Sequence, residues 1–294
     1  MDLRFVSSLI LVIDAGSLAA AARMGGITPS AVAQRIATLE ALLGVSLLVR
    51  AGRVMQPTPE CRRLLPGLRQ LLRDEAALKG LLQADGLQGQ LRLGAISTVI
   101  SDHAKDLVAG LRSAAPQVEL QLIPGASSAL FAEFEAEALD AALIVQPEFT
   151  LPKTMQFAPI SRQQIGWLLP EAGGGAVPEG ELPCILYSRE AWGGVACWQA
   201  LQVQESSPKV LAEMDALESI AMLVQDGLGR SVLPRWATLD RYAPNARFVP
   251  IAGLYREFGL LSWSRDRSRP VLKLLLEILQ GSSRSDAGTD HRGR

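Results

Sequence analysis

Residues 17–50, SLAAAARMGGITPSAVAQRIATLEALLGVSLLVR, constrain this chain more than any other stretch, because they encode two short helices separated by a tight turn. Ser17 is a favourable N-cap for a helix over Leu18–Met24. Gly25 and Gly26 end that helix, since glycine terminates helices at little cost and permits positive φ. Thr28 caps the next helix, and Pro29 takes its first position, where a missing N–H costs nothing. Val32, Ile36, Leu39 and Leu43 then recur at spacings of 4, 3 and 4, one apolar stripe along a helix. Off that stripe lie Ser30, Ala31, Gln34, Arg35 and Thr38, small or hydrogen-bonding residues that suit the floor of a DNA groove. The pattern is that of a helix-turn-helix.

Its surroundings separate it from an ordinary amphipathic helix pair. Phe5, Leu9, Val12 and Ile13 predict a supporting helix with the same period. Leu47–Arg50 and Val54–Gln56, joined through Ala51-Gly52-Arg53, predict a small hairpin, a wing whose Arg50 and Arg53 reach phosphates or the minor groove. Residues 1–63 hold seven arginines against four acids, an excess of three, while the whole chain carries −1. Positive charge is therefore concentrated at the N-terminal end, as a phosphate backbone requires.

The rest of the chain excludes several classes. Its start has an apolar run with helical periodicity but no basic n-region, so it does not read as a signal peptide. No stretch reaches the roughly 18 uninterrupted apolar residues of a membrane span. Cys61, Cys184 and Cys197 are too scattered for a disulfide framework or a zinc site, which predicts a cytoplasmic protein with no bound metal. His103 and His291 are the only histidines, and neither a G-x-S-x-G elbow, a P-loop nor a G-x-G-x-x-G loop occurs. Gly173-Gly174-Gly175 lacks the flanking strand and Lys-Ser/Thr of a phosphate loop. No catalytic residues and no cofactor are expected.

Thr58-Pro59 opens a long helix toward Leu82, in which Leu64, Leu68, Leu71, Leu78 and Leu82 form a near-heptad stripe that predicts a paired helix. Pro66 should bend it. Residues 84–90 read as a linker. Strands at 91–96, 118–123 and 139–145 then alternate with helices at 104–114 and 128–138. Further strands follow at 165–169, 184–187 and 231–233, with a helix over 216–225. Such alternation argues for a parallel sheet covered by helices. Ligands in such sheets sit beyond the strand ends, which points to Ser97, Thr98, Ser127, Ser128, Gln146 and Asp215. Each of these residues has an ordinary helix cap as its competing reading.

With these pieces in order, the chain resembles the LysR-type transcriptional regulators over about residues 1–280. The matching residues are Ala21-Ala22, Ile27-Thr28, Ser30-Ala31-Val32, Ile36, Leu39-Glu40, Leu43-Gly44, Leu47 and Arg50. Further matches are Leu91–Gly94, Leu139–Leu143 and the run from Val224–Gly229 through Leu233-Pro234. The resemblance implies an α plus α/β multidomain protein: a winged helix-turn-helix over 1–57 and a linker and dimerisation helix over 58–89. It further implies a two-lobed effector domain resembling type 2 periplasmic binding proteins, with lobe 1 over 90–160 plus 264–280, lobe 2 over 161–263, and a disordered tail over 281–294. Double-stranded DNA would be read by Thr28, Pro29, Ser30, Gln34, Arg35, Thr38, Arg50 and Arg53, and a small-molecule effector bound between the lobes. It implies a homodimer through the linker helix, its assembly into a homotetramer, and RNA polymerase as a further partner. The chain departs from the family pattern at Leu18, Gly25, Ala33, Leu48 and Cys61; Ala33 removes a serine that normally faces DNA, which bears on operator sequence. A solute-binding protein shares the second-half fold, but residues 1–60 have no place in one.

Overall fold

A computed structural model describes residues 1–52, 54–81, 87–171, 182–205 and 207–287. Arg53, Leu82, Gly173-Gly174-Gly175 and His291 lie outside the described residues. The chain forms two compact units, Met1–Gly86 with Ala136–Ala138, and Leu87–Glu135 with Leu139–Arg294.

In the first unit the order is α1 (Leu3–Ala15), α2 (Leu18–Met24), α3 (Pro29–Leu43), β1 (Leu48–Ala51), β2 (Val54–Pro57) and α4 (Pro59–Leu81). The predicted caps are in place: Ser17 Oγ accepts from the Ala20 amide, and Thr28 Oγ1 from Ala31. The two glycines between α2 and α3 do different work. Gly26 carries the positive φ of +63°, whereas Gly25 is right-handed, its Cα packed near Leu11. Val32, Ile36 and Leu39 bury the inner face of α3 against Val6, Leu9 and Val12 of α1 and Ala21 and Ala22 of α2. Glu40 turns the chain into the wing, its Oε1 accepting from the amides of Leu47 (2.7 Å) and Leu48 (3.3 Å). The Met55 amide then donates to the Gly16 carbonyl and ties the wing to the end of α1. Glu40→Ala leaves two amides without an acceptor and is expected to destabilise this unit by about 1–3 kcal/mol, read as a lower urea midpoint.

Helix α4 continues through Pro66, and its leucines divide between two faces. Cys61 and Leu68 are buried in the winged domain's own core, with Leu65 and Leu72 packed beside them. Leu68 therefore does not belong to the free stripe predicted from the heptad pattern. Leu64, Leu71 and Leu78, a two-turn spacing apart, stay 37%, 41% and 64% exposed.

In the second unit β3 (Gln88–Ala95), α5 (Ser97–Ala114), β4 (Gln117–Pro124), α6 (Ser127–Glu135) and β5 (Ala141–Val145) are followed by a long β6 (Met155–Leu169). Then come β7 (Cys184–Tyr187), α7 (Trp192–Gln204), β8 (Val210–Met214), α8 (Leu217–Gln225), β9 (Ser231–Pro234) and α9 (Leu239–Tyr242). The unit ends with β10 (Arg247–Trp263), a 3₁₀ turn and α10 (Pro270–Ala287). The main sheet has the order β4-β3-β5-β10-β6-β9. Strands β3, β4 and β5 are parallel as predicted, but β10 runs antiparallel to both β5 and β6, so the sheet is mixed. A separate parallel pair, β7-β8, builds the other side.

Two cores make this unit bilobed. Leu93, Leu143, Phe134 and Leu275 belong to one, and Ile185, Leu201, Ile220 and Trp236 to the other. Strands β6 and β10 serve both cores, one end in each. The return into the first core begins at Phe258, with Leu260, Leu261 and Trp263, so the expectation that lobe 2 runs unbroken to 263 is corrected. Helix α5 starts at Ser97 rather than 104, tolerating β-branched Thr98, Val99 and Ile100 in its first turns because Thr98 and Val99 are buried there. Helix α6 stops at Glu135, and Glu137 adopts a φ of +57° that no helix could continue. Helix α10 runs to Ala287, into the stretch predicted as a disordered tail.

Candidate DNA-reading helix and effector pocket

The outer face of α3 exposes Pro29, Ser30, Ala33, Gln34, Ala37 and Thr38 together. Small residues at 33 and 37 let the helix backbone approach a surface closely, and Ser30, Gln34 and Thr38 supply donors and acceptors between them. Thr28 caps the helix and bonds Ser30 at 3.0 Å, so it shapes the N-terminal end. The Thr38 hydroxyl donates to the Gln34 carbonyl and keeps its lone pairs outward. Arg35 differs from the sequence expectation in one respect: its side chain is half-buried and Nη1 donates to Ser8 Oγ at 3.2 Å, bracing α3 on α1. Arg50 is exposed on the wing, and its Nε donates to the Gly52 carbonyl.

The second unit holds a cavity of about 280 Å³ between its two lobes. Ser97, Thr98, Ser127 and Asp215, four of the six residues picked from the sequence, line it; Ser128 and Gln146 do not. Ser128 is exposed on the outer side of α6, and Gln146 is exposed beyond β5. Val145 donates its amide to Ser127 Oγ, which leaves that hydroxyl hydrogen available. Tyr187, Trp192 and Arg256 also line the cavity. Arg256 carries no local sequence signal because Pro250, Gly253, Arg256 and Glu257 break the alternation of β10, while Tyr187 and Trp192, at the end of β7 and the start of α7, read as ordinary core aromatics.

A bulge delivers Arg256 to the cavity. Strand β10 loses register between Pro250 and Tyr255, and the Gln164 side-chain amide donates to the exposed carbonyls of Ile251 (2.7 Å) and Leu254 (2.9 Å). Arg256 emerges directly after, opposite Gln163. Its Nε donates to Gln163 Oε1 at 2.7 Å and its Nη2 to Thr98 Oγ1 at 3.0 Å. Burial pushes the Tyr187 phenol up to about 12, opposed by the neighbouring Arg256 charge. Desolvation also raises the Asp215 carboxyl, with the same arginine acting against it.

Further contacts cross the lobes beside the cavity. Ser97 Oγ donates to Glu218 Oε2, and Ser101 Oγ lies 2.7 Å from Thr238 Oγ1 and 3.0 Å from the Tyr242 hydroxyl. Asp102 accepts from the amides of Ala237 and Thr238 and from the Thr238 hydroxyl.

A winged helix-turn-helix joined to a bilobed α/β domain with a polar inter-lobe cavity defines a DNA-binding regulator carrying a ligand-binding domain. The comparisons with known proteins agree. Residues 3–62 match the model of the bacterial regulatory helix-turn-helix protein of the lysR family, and residues 84–284 match that of the LysR substrate binding domain. The chain belongs to the LysR family of DNA-binding transcriptional regulators. It is 28% identical to the HTH-type transcriptional regulator IlvR of Caulobacter vibrioides, over 95% of this chain and 97% of that protein. It is 38% identical to a probable hydrogen peroxide-inducible genes activator of Mycobacterium xenopi, over 42% of this chain and 67% of that one. Its fold is similar to a full-length OxyR variant from Pseudomonas aeruginosa, with a TM-score of 0.74 at 22% identity over 95% of each chain. It is also similar to full-length CbnR complexed with its target DNA, with a TM-score of 0.60 at 18% identity, covering 96% of this chain and all of that one. Among the described residues no single helix is long and apolar enough to cross a membrane.

Proposed function

We propose that this regulator reads its operator with the exposed face of α3 and is switched by a small molecule in the inter-lobe cavity. The observation that carries the reading is the cavity itself, which gathers Ser97, Thr98, Ser127 and Asp215 where contacts from both lobes meet. A ligand there changes the relative stability of lobe arrangements in proportion to its differential affinity for them, typically about 1–3 kcal/mol. Thr98→Val removes the hydroxyl that meets Arg256 and is expected to alter ligand response without altering affinity for operator DNA in the absence of ligand. Equal ligand responses of wild type and variant in an operator titration would count against the assignment.

In this reading Ser30, Gln34, Arg35 and Thr38 face the major groove, with Thr28 and Pro29 setting the helix start. Arg50 and Arg53 hold phosphates or enter the minor groove. Gln34 suits adenine, through two edges. Gln34→Ala is expected to cost about 1–3 kcal/mol on the operator and to relax selectivity at one base pair. Arg35→Ala is expected to cost a similar amount, part of it through the lost brace to Ser8. Fluorescence anisotropy on matched and single-substituted duplexes measures both; unchanged affinity would remove the residue from the interface.

The exposed stripe Leu64, Leu71 and Leu78 supports a homodimer through α4, and pairing of dimers into a homotetramer completes the proposed assembly. RNA polymerase is its further proposed partner, and the cytoplasm its place of action.

Peroxide sensing, suggested by the names of some relatives, finds no support in the cysteines. All three are buried; desolvation raises Cys61 to about 11 and Cys197 to about 12 and also raises Cys184, so thiolate is scarce near neutral pH. Cys197 of the native protein is expected to resist iodoacetamide at pH 8 and to react once the chain is denatured. Rapid labelling of the native thiol would reopen the redox reading.

A further inference from the structure

We propose that the ligand of the inter-lobe cavity is a small organic acid whose carboxylate binds Arg256. The proposal rests on the reading of this cavity as the effector site and adds the chemical class that the site takes.

Arg256 is only 4% exposed, and its partners are neutral: the Gln163 amide oxygen and the Thr98 hydroxyl. Among the described residues its buried Nη1 has no hydrogen-bond partner and the guanidinium makes no ion pair. Tyr187 beside it stays a neutral phenol and is no counter-ion. A buried cation of this kind is costly unless an anion compensates it, and a planar guanidinium matches a carboxylate with two parallel bonds. The start of α7 is shaped around the arginine: a Cβ on Gly193 would stand 2.8 Å from Nη1.

The helices around the cavity reinforce that field independently. Helices α5, α6, α7 and α8 all begin at its wall. The starts of α5, α7 and α8 have no side-chain cap; Val99 and Gly194 bond back to the Ile96 and Ala191 carbonyls, and the first two amides of each helix point their partial positive charge out of the helix start. Asp215, the acidic residue of the lining, is exposed and, although the Arg256 charge reaches it, forms no ion pair with Arg256 among the described residues. Ile96, Ala126, Trp192 and Leu217 provide an apolar wall for the remainder of the ligand. A volume of about 280 Å³ restricts it to a small molecule.

The test uses the full chain and matched pairs of probes: acetate, propionate, benzoate and L-valine, each against its carboxamide. Thermal stability and calorimetry are recorded for wild type, Arg256→Gln and Arg256→Lys. At least one acid is expected to stabilise wild type, with its amide inert. Arg256→Gln is expected to weaken that acid on the order of tenfold or more, and Arg256→Lys less, because it keeps the charge and loses the fork. If Arg256→Gln fails to fold, the acid-against-amide contrast in wild type and the Arg256→Lys result decide. An amide that binds as well as its acid, or no acid that distinguishes wild type from the arginine variants, overturns the proposal. A neutral compound whose binding is lost in Ser127→Ala but indifferent to Arg256 would overturn the carboxylate while leaving the effector reading intact.

Discussion

A chain carrying Leu71→Glu and Leu78→Glu is expected to be monomeric at micromolar concentration and to lose operator protection. Both side chains project from α4 into solvent, so glutamate costs the isolated protomer little. In a paired helix the same positions face the partner, where four carboxylates would crowd one seam. A monomer binds one half-site alone and forfeits the effective concentration that tethering gives the second, worth about 10²–10⁴ in overall affinity. Sedimentation measures the first expectation and footprinting the second. Circular dichroism matching wild type would show that the winged domain, anchored through the opposite face by Cys61 and Leu68, is unharmed. A variant that remains dimeric would move the interface away from α4.

Asp102→Ala is expected to have the second largest effect, on the closure between the lobes. The carboxylate on α5 accepts three hydrogen bonds from the other lobe, at 3.0 Å from the Ala237 amide and 2.8 Å from both the Thr238 amide and hydroxyl. Its removal leaves two amides without a protein acceptor at a partly buried site. Bonds to a charged group contribute about 1.5–3 kcal/mol each, and nearby Ser101 retains its own contact with Thr238. A net loss of about 3 kcal/mol corresponds to roughly a hundredfold faster amide exchange at 237 and 238. The same change should flatten the operator response to whatever ligand the cavity holds, since the two lobe arrangements would differ less. Exchange at wild-type rates would show that Asp102 is not a latch.

Local signals with short range were the legible ones. The Ser17 and Thr28 caps, Pro29, and the Val32–Leu43 stripe each act within one or two helical turns, and the residues themselves dictate the outcome. The parallel strands were legible for a similar reason, β3 and β4 as short apolar alternations (Leu91 and Leu93; Val118, Leu120 and Leu122) and β5 as a continuous apolar run. Strand β10 was not. Its Pro250, Gly253, Arg256 and Glu257 interrupt any apolar alternation, and pairing with β6 together with the Gln164 amide across the bulge makes it a strand. The pocket suffered accordingly: serines and an aspartate beside strand ends were found by rule, whereas Arg256, which gives the site its charge, depends on that long-range pairing. Helix α4 shows the same limit from another side. Its leucine spacing predicts one stripe, but which leucines remain free depends on what α1 and α3 already cover.

The measurement closest to the central claim is a nuclease footprint of the purified protein on the DNA upstream of its own gene, repeated across salt concentrations. Two protected half-sites about one helical turn apart are expected, with occupancy falling steeply as salt rises. Gln34→Ala is expected to weaken them selectively. Protection without sequence preference, or none at any salt concentration, would contradict the assignment of the α3 face as a reader of DNA.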